Sequence, residues 1–231
     1  MPNIREIFLS IQGEGPYVGH RQLFIRFCDC NLKCGYCDTD FSVKDCQIEY
    51  KPGSGEFEYL RNPIEEKVLF EIISEFKNYH SISLTGGEPL LSCDFLLTCR
   101  PQINAKIYLE TNGTLPNNLK KVIKLVDIIS MDIKLPSSTG LKSYYAEHYE
   151  FIDIALKNKK EIFAKAVVSN KITTSEMDYL KQIAQKIPLI IQPITTTNKA
   201  LVITKEKLFR ISDKIPSARI IPQTHNFMGI L

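Results

Sequence analysis

The chain has little net charge for a protein that would work on a polyanion. Lys and Arg outnumber Asp and Glu by 29 to 26, giving a formal net charge of +3 over 231 residues, too small for an electrostatic footprint for nucleic acid or a membrane surface. No segment approaches the roughly 20 consecutive apolar residues that a membrane-crossing helix needs. The opening residues, Met1 to Glu6, carry Pro, Asn, Arg and Glu where a secretory signal would carry an apolar stretch. Low-complexity runs, self-similar repeats and a linker dividing the chain are also missing. These absences point to a cytoplasmic protein with a small-molecule partner, no direct nucleic-acid partner and no membrane partner. An apolar fraction of 44% is ordinary for a chain that buries a sizeable core, and a single domain over residues 1–231 is expected.

Short runs rich in β-branched and aromatic residues recur at Leu23–Phe27, Ile82–Leu84, Ile107–Leu109, Ile128–Met131, Ile162–Val168, Leu189–Gln192 and Ile220–Ile221, and read as buried strands. Helical patterns lie between them. The clearest starts at Asn62-Pro63, after which Ile64, Val68, Ile72, Ile73 and Phe76 return on one face; others begin near Asn117, Lys142, Thr174 and Thr204. The stretch 46–62, with Lys51-Pro52-Gly53-Ser54-Gly55, reads as a loop or small insertion. Alternating strands and helices predict βαβ units around a parallel sheet, either open and doubly wound or curved into a full or partial barrel. In all of these, ligands sit at the C-terminal strand ends, where Cys30, Thr85-Gly86-Gly87-Glu88-Pro89 and Glu110-Thr111-Asn112-Gly113 follow their strands.

Four of the seven cysteines fall between Cys28 and Cys37. In a small secreted chain such crowding would suggest disulfides, and in a cytosolic one it suggests metal or redox chemistry. Cys46, Cys93 and Cys99 stand apart and read as small buried hydrophobes. Cys30, Cys34 and Cys37 have the spacing Cys-x3-Cys-x2-Cys, and three thiolates on one loop leave one iron of a 4Fe-4S cluster open to an outside ligand. Cys28 supplies a fourth thiol, so a structural zinc site is the competing reading, although such sites normally draw on two cysteine pairs separated by a longer finger.

The triad, with Tyr36 just before its third cysteine and the Gly-Gly-Glu-Pro stretch after the second predicted strand, resembles the radical S-adenosylmethionine (SAM) superfamily. That resemblance implies an α/β fold, a partial TIM-like barrel of parallel strands with outer helices. It also implies a 4Fe-4S cluster on Cys30, Cys34 and Cys37 whose open iron binds SAM, an added electron then cleaving the sulfonium to a 5′-deoxyadenosyl radical. Ile7-Phe8-Leu9-Ser10-Ile11-Gln12-Gly13-Glu14-Gly15, then Gly19, Phe24 and Arg26, then Cys30-Asn31-Leu32 and Cys37-Asp38-Thr39, and finally Gln223-Thr224-His225 with Gly229 resemble the 7-carboxy-7-deazaguanine synthase family.

For this chain the narrower resemblance implies a pterin substrate, SAM, Mg2+, an electron donor such as flavodoxin or ferredoxin, and a homodimer. The reaction is conversion of 6-carboxy-5,6,7,8-tetrahydropterin to 7-carboxy-7-deazaguanine with loss of ammonia, toward queuosine or another deazapurine. Carried over residue by residue, Ile11, Gln12, Gly13, Arg26, Thr85 and the terminal carboxylate of Leu231 would contact the substrate. Tyr36, Cys37, Asp38, Gly87, Glu88, Ser130, Asp132, Lys134, Gln192 and Pro193 would contact SAM, and Thr39 would hold Mg2+. Asp29, where the family usually has Gly, the additional Cys28, and Asn226, where Lys is usual, depart from the pattern and bear on loop geometry and substrate preference. A glycyl-radical-activating enzyme, which shares the triad but acts on a protein, and a zinc-binding structural protein are the alternatives.

Overall fold

The computed structural model of the protein describes residues 1–35, 37, 43–99, 103–195 and 200–230. Ten strands form one continuous sheet in the order β10-β9-β8-β7-β6-β5-β2-β1-β3-β4. From β2 (Arg21–Phe27) through β5 (Ser81–Gly86), β6 (Ile107–Thr111), β7 (Ile128–Ile133), β8 (Glu161–Val168), β9 (Leu189–Pro193) and β10 (Arg219–Ile220), neighbouring strands are parallel. The sheet does not close on itself, since β10 and β4 are its two ends, and the expected partial barrel is the fold observed.

On each parallel strand, alternate residues serve two different environments. Ile82, Leu84, Leu109, Ile129, Met131, Ile162, Ala164, Ala166 and Ile191 belong to the large apolar core shared with the helices. The intervening positions face inward. There Tyr108, Ile128, Phe163 and Ile190 form a separate apolar cluster, closed by Tyr17 and Ile221. Above this plug the inward positions turn polar, with Ser83 and Thr85 on β5, Glu110 on β6, Asp132 on β7, Lys165 on β8 and Gln192 on β9. Apolar plug and polar upper layers make one end of the barrel a solid floor and the other a site.

Two regions differ from the sequence pattern. β1 (Ile4–Ile11), which the run pattern did not single out, pairs antiparallel to β2 and carries Gln12 to Glu14 into the barrel. The 46–62 stretch contains β3 (Asp45–Glu49) and β4 (Glu58–Arg61), an antiparallel pair that extends the sheet beyond β1. The first helix, α1 (Glu66–Glu75), starts later than Pro63. Asn62 is engaged elsewhere: its side chain accepts from Ile4 N at 3.0 Å and donates to Ile4 O at 2.9 Å, tying β1 in place. Helices α2 (Cys93–Cys99), α3 (Pro116–Val122), α4 (Pro136–Thr139), α5 (Tyr145–Lys157), α6 (Thr174–Ala184) and α7 (Lys205–Lys214) follow, and α8 (Thr224–Met228) lies against Gly13. Thr173 and Glu176 cap α6 reciprocally, and Glu176 also accepts from Ser137 N at 2.8 Å, which joins α4 to α6. Among the described residues, no helix is long and apolar enough to cross a membrane.

Candidate active site

A cavity of about 660 Å³ opens at the polar end of the barrel, within the range of small-molecule sites. Its wall combines Phe8, Ile11, Gln12, Gly13 and Glu14, then Phe24 and Arg26, the loop cysteines Cys30, Cys34 and Cys37, inward residues of β5 to β9, and Gln223, His225 and Asn226 near the C-terminus. Almost every element with a sequence signature thus contributes to one space.

The cysteine loop is fixed by its backbone and leaves its thiols facing the cavity. Gly35 N donates to Thr139 O at 2.8 Å, and Cys37 N to Cys34 O at 3.1 Å. Asn31 receives the Asn112 amide at 2.8 Å and donates to Thr114 Oγ1 at 2.9 Å. Asn112 Nδ2 also lies 4.0 Å from Cys30 Sγ. Burial pushes the Cys30 and Cys34 thiols up, and the nearby Lys134 ammonium works against that in both. All three thiols are free, whereas Cys28 is buried and does not line the cavity.

Among the described residues, no three of His, Cys, Asp and Glu close into a single-ion group. Three free thiols along one cavity wall fit the wider footprint of an iron-sulfur cube with an open corner. Close backbone approach supports the same reading. An ideal Cβ on Gly87 would lie 2.1 Å from Asp29 O and 2.9 Å from Cys28 O, so only glycine lets the β5 turn press against the loop just before Cys30.

Glu88 lies off the cavity wall. It is 1% exposed. Its carboxylate accepts from Leu90 N at 3.1 Å, Asn112 N at 2.8 Å and Thr111 Oγ1 at 2.9 and 3.0 Å. Burial pushes its carboxyl up to about 7 against the pull of those donors. Glu88 therefore ties the β5 turn to Thr111 at the end of β6 and to Asn112 just after it.

The floor carries a cluster of charges of which the residue-by-residue resemblance singled out only Asp132 and Lys134. Lys165, 3% exposed at its side chain, pairs with Glu14, with Asp132 at 3.4 Å and with Glu110 at 3.6 Å. Glu110 also accepts from Gln12 Nε2 at 3.0 Å, Ser83 Oγ at 3.1 Å and Thr85 Oγ1 at 3.3 Å. Asp132 pairs with Lys134 at 3.1 Å. Burial opposes the charge on Glu14, but Lys165 and the Gln223 amide outweigh it and hold the carboxyl at about 2. Burial likewise opposes the charge on Lys165, and its carboxylate neighbours, Asp132 first, hold the ammonium well above its usual value.

Of the residues carried over by resemblance, Ile11, Gln12, Gly13, Arg26, Cys30, Cys34, Cys37, Thr85, Gly87, Asp132, Lys134 and Gln192 are brought together on the cavity wall. Arg26 Nε is 2.5 Å from Glu6 Oε1, and its guanidinium carbon sits 5.8 Å above the Phe8 ring, which stacks on Phe24. Besides Glu88, Ser130 and Pro193 stand off the wall. Ser130 is fully buried one inward step below Asp132, and Pro193 follows inward-facing Gln192, so strand alternation turns it outward. Tyr36, Asp38, Thr39 and Leu231 lie outside the described residues. Glu110 and Lys165 did carry a sequence signal: each is a lone charge in or at the end of a buried strand, where a charge needs a partner.

The family model of the radical SAM superfamily matches residues 24–184. A 7-carboxy-7-deazaguanine synthase from Geobacter sulfurreducens is 39% identical over 245 residues, covering 99% of this chain and 97% of that protein. One from Archaeoglobus fulgidus is 33% identical over 234 residues, covering 99% and 98%. The crystal structure of QueE from Escherichia coli superposes with a TM-score of 0.58 over 96% of this chain and 93% of that one, at 19% identity, a likeness of fold. The chain belongs to the radical SAM superfamily, whose members use a 4Fe-4S cluster and SAM. Within it, the full-length identities place the chain in the 7-carboxy-7-deazaguanine synthase family.

Proposed function

We infer that this chain converts 6-carboxy-5,6,7,8-tetrahydropterin to 7-carboxy-7-deazaguanine with loss of ammonia, using SAM, a 4Fe-4S cluster and Mg2+. The observation that carries the reading is one cavity in which the three cysteines face Gln12, Gly13, Arg26 and Thr85, in a chain matched end to end by relatives of that name. When bound, the cluster and SAM supply the radical that starts the reaction. The chain's own residues bind, orient and enclose the substrate.

Cys30, Cys34 and Cys37 hold the cluster. Gly87, Asp132, Lys134 and Gln192, with Tyr36 and Asp38 beyond the described residues, hold SAM beside it. Gln12, Gly13 and Thr85 read the polar edge of the pterin, and Arg26 receives its carboxylate, a role suited to a guanidinium on an apolar platform. Mg2+ at Thr39, substrate contact by the Leu231 carboxylate, a flavodoxin- or ferredoxin-type reductant and a homodimer are supported by the family resemblance.

Anaerobic reconstitution with iron and sulfide, followed by SAM, the carboxytetrahydropterin and a reductant, tests the activity. The deazaguanine product and ammonia should appear in equal amounts, and chelation of Mg2+ should slow turnover. A brown, cluster-loaded protein that cleaves SAM but leaves the pterin intact would sink the substrate assignment. A colourless, zinc-loaded protein would sink the cluster itself.

A further inference from the structure

In the motif Gln12-Gly13-Glu14-Gly15, the one charged residue, Glu14, has no role in the proposed reaction. Its carboxylate sits at the meeting point of three distant parts of the chain. Oε2 pairs with Lys165 of β8. Oε1 accepts from Gln192 Nε2 of β9 at 2.9 Å and from Gln223 Nε2, just before α8, at 2.6 Å. Next to it Gly13 O accepts from both Thr224 N at 2.9 Å and Thr224 Oγ1 at 3.0 Å. An ideal Cβ on Gly13 would lie 2.4 Å from His225 Nδ1 and 2.6 Å from His225 N, so the absent side chain is what admits α8.

We propose that Glu14 is a latch, a positioning residue that fastens the segment from Gln223 to His225 across the cavity by joining its amide to the fixed charge of Lys165. α8 has five residues, none of them buried, and makes no apolar anchor of its own. Its place therefore depends on polar contacts, these and the one from Asn226 Nδ2 to Thr195 Oγ1 at 3.3 Å. Gln223, His225 and Asn226 line the cavity, so the latch sets the shape of one whole wall. The groups facing Glu14 are Lys165 from β8, Gln192 from β9, and Gln223 with His225 from the C-terminal segment. Lys165 keeps the carboxylate charged, which makes it a strong acceptor for the Gln223 amide.

Hydrogen exchange at the Thr224 amide in the anaerobic holoenzyme without substrate tests the proposal, with the Ala164 amide of β8 as the internal reference for global opening. Gln223→Glu is isosteric but sets a carboxylate against Glu14; it should speed Thr224 exchange at least tenfold and leave Ala164 unchanged. Gln223→Lys restores a donor and should return the protection. Glu14→Ala should speed Thr224 exchange by more than it speeds that of Ala164, and the double variant should exchange no faster than Gln223→Glu, because the repulsion needs both carboxylates. Full protection of Thr224 in Gln223→Glu, or additive effects in the double variant, would overturn the latch. These readouts do not depend on the assigned substrate. A further arm rests on the proposed reaction: KM for the pterin should rise in Gln223→Glu more than kcat falls, and a changed Thr224 protection with an unchanged KM would count against that reaction and leave the latch standing.

Discussion

Lys165 and Glu14, 151 positions apart in the sequence, form an ion pair in the floor of the cavity. Lys165 is the only cation within reach of Glu14, Glu110 and Asp132 together among the described ion pairs. A buried pair of this kind is weak evidence for net stability, but removing one partner leaves charges without compensation.

Lys165→Met should therefore destabilise the fold by about 3–5 kcal/mol at pH 7, measured by urea unfolding. The pH dependence should also reverse. In the native protein Glu14 titrates near 2 against an ordinary 4.5, so its contribution is present above pH 4.5 and is lost as pH falls toward 2. Without Lys165, burial dominates and raises the Glu14 carboxyl, so the variant should regain stability as pH drops from 7 toward 5. A variant with the native pH slope would contradict this account.

The backbone contact between Gly87 and Asp29 predicts a separation between structure and cluster binding. Gly87→Ala places a methyl group where Asp29 O already sits. It should leave the far-ultraviolet circular dichroism near native and cut iron retained per chain at least fivefold. Cys28→Ala should keep the full cluster, since its thiol is buried away from the cavity. Iron and sulfide analysis of anaerobically purified protein reads both outcomes.

Glu88 supplies a stability prediction. Both its oxygens accept, so Glu88→Gln turns an amide NH2 toward a backbone N–H of Leu90 or Asn112. The mismatch should cost about 1–3 kcal/mol in urea unfolding. If stability were native and only SAM affinity fell, direct contact of Glu88 with the cofactor would be the better account.

His148 offers a test on the outer side of the barrel. It is fully buried, with Nδ1 3.1 Å from Tyr179 Oη and Nε2 3.2 Å from Asn112 O. Burial lowers its pKa from 6.5 to about 4. The unfolded chain takes up a proton near pH 6.5 that the folded chain refuses until pH 4, so His148 should contribute a loss of about 2 kcal/mol between pH 7 and pH 5, opposed by the gain from Glu88, whose carboxyl takes up its proton near 7. His148→Gln should remove that loss, so the variant should gain stability relative to the parent as pH drops from 7 to 5, as read by urea midpoints of both proteins across the range.

Much of the barrel was legible because the alternation of its strands is strong. The seven strands of the parallel array, β2 and β5 to β10, coincide with runs visible in the sequence, as Ile162–Val168 does with β8. β4 was hidden because its four residues are all exposed and follow a Pro-Gly-Ser-Gly turn signal that dominates the 46–62 stretch. β1 escaped because its pattern was taken up as part of the motif around Gln12. In the site, the cysteine triad is a local signal and could be read directly. The Glu14–Lys165–Glu110 cluster is a long-range one: each member looks like an ordinary charge until the strands that carry it are placed side by side.

The contact between Glu14 and Gln223 spans 209 positions, which gives the protein a built-in order of assembly. During synthesis the parallel strands can pair one after another as they emerge, yet the wall beside Gly13 stays open until the segment around Gln223 leaves the ribosome. A nascent chain can hold β1 to β9 before it can enclose a substrate.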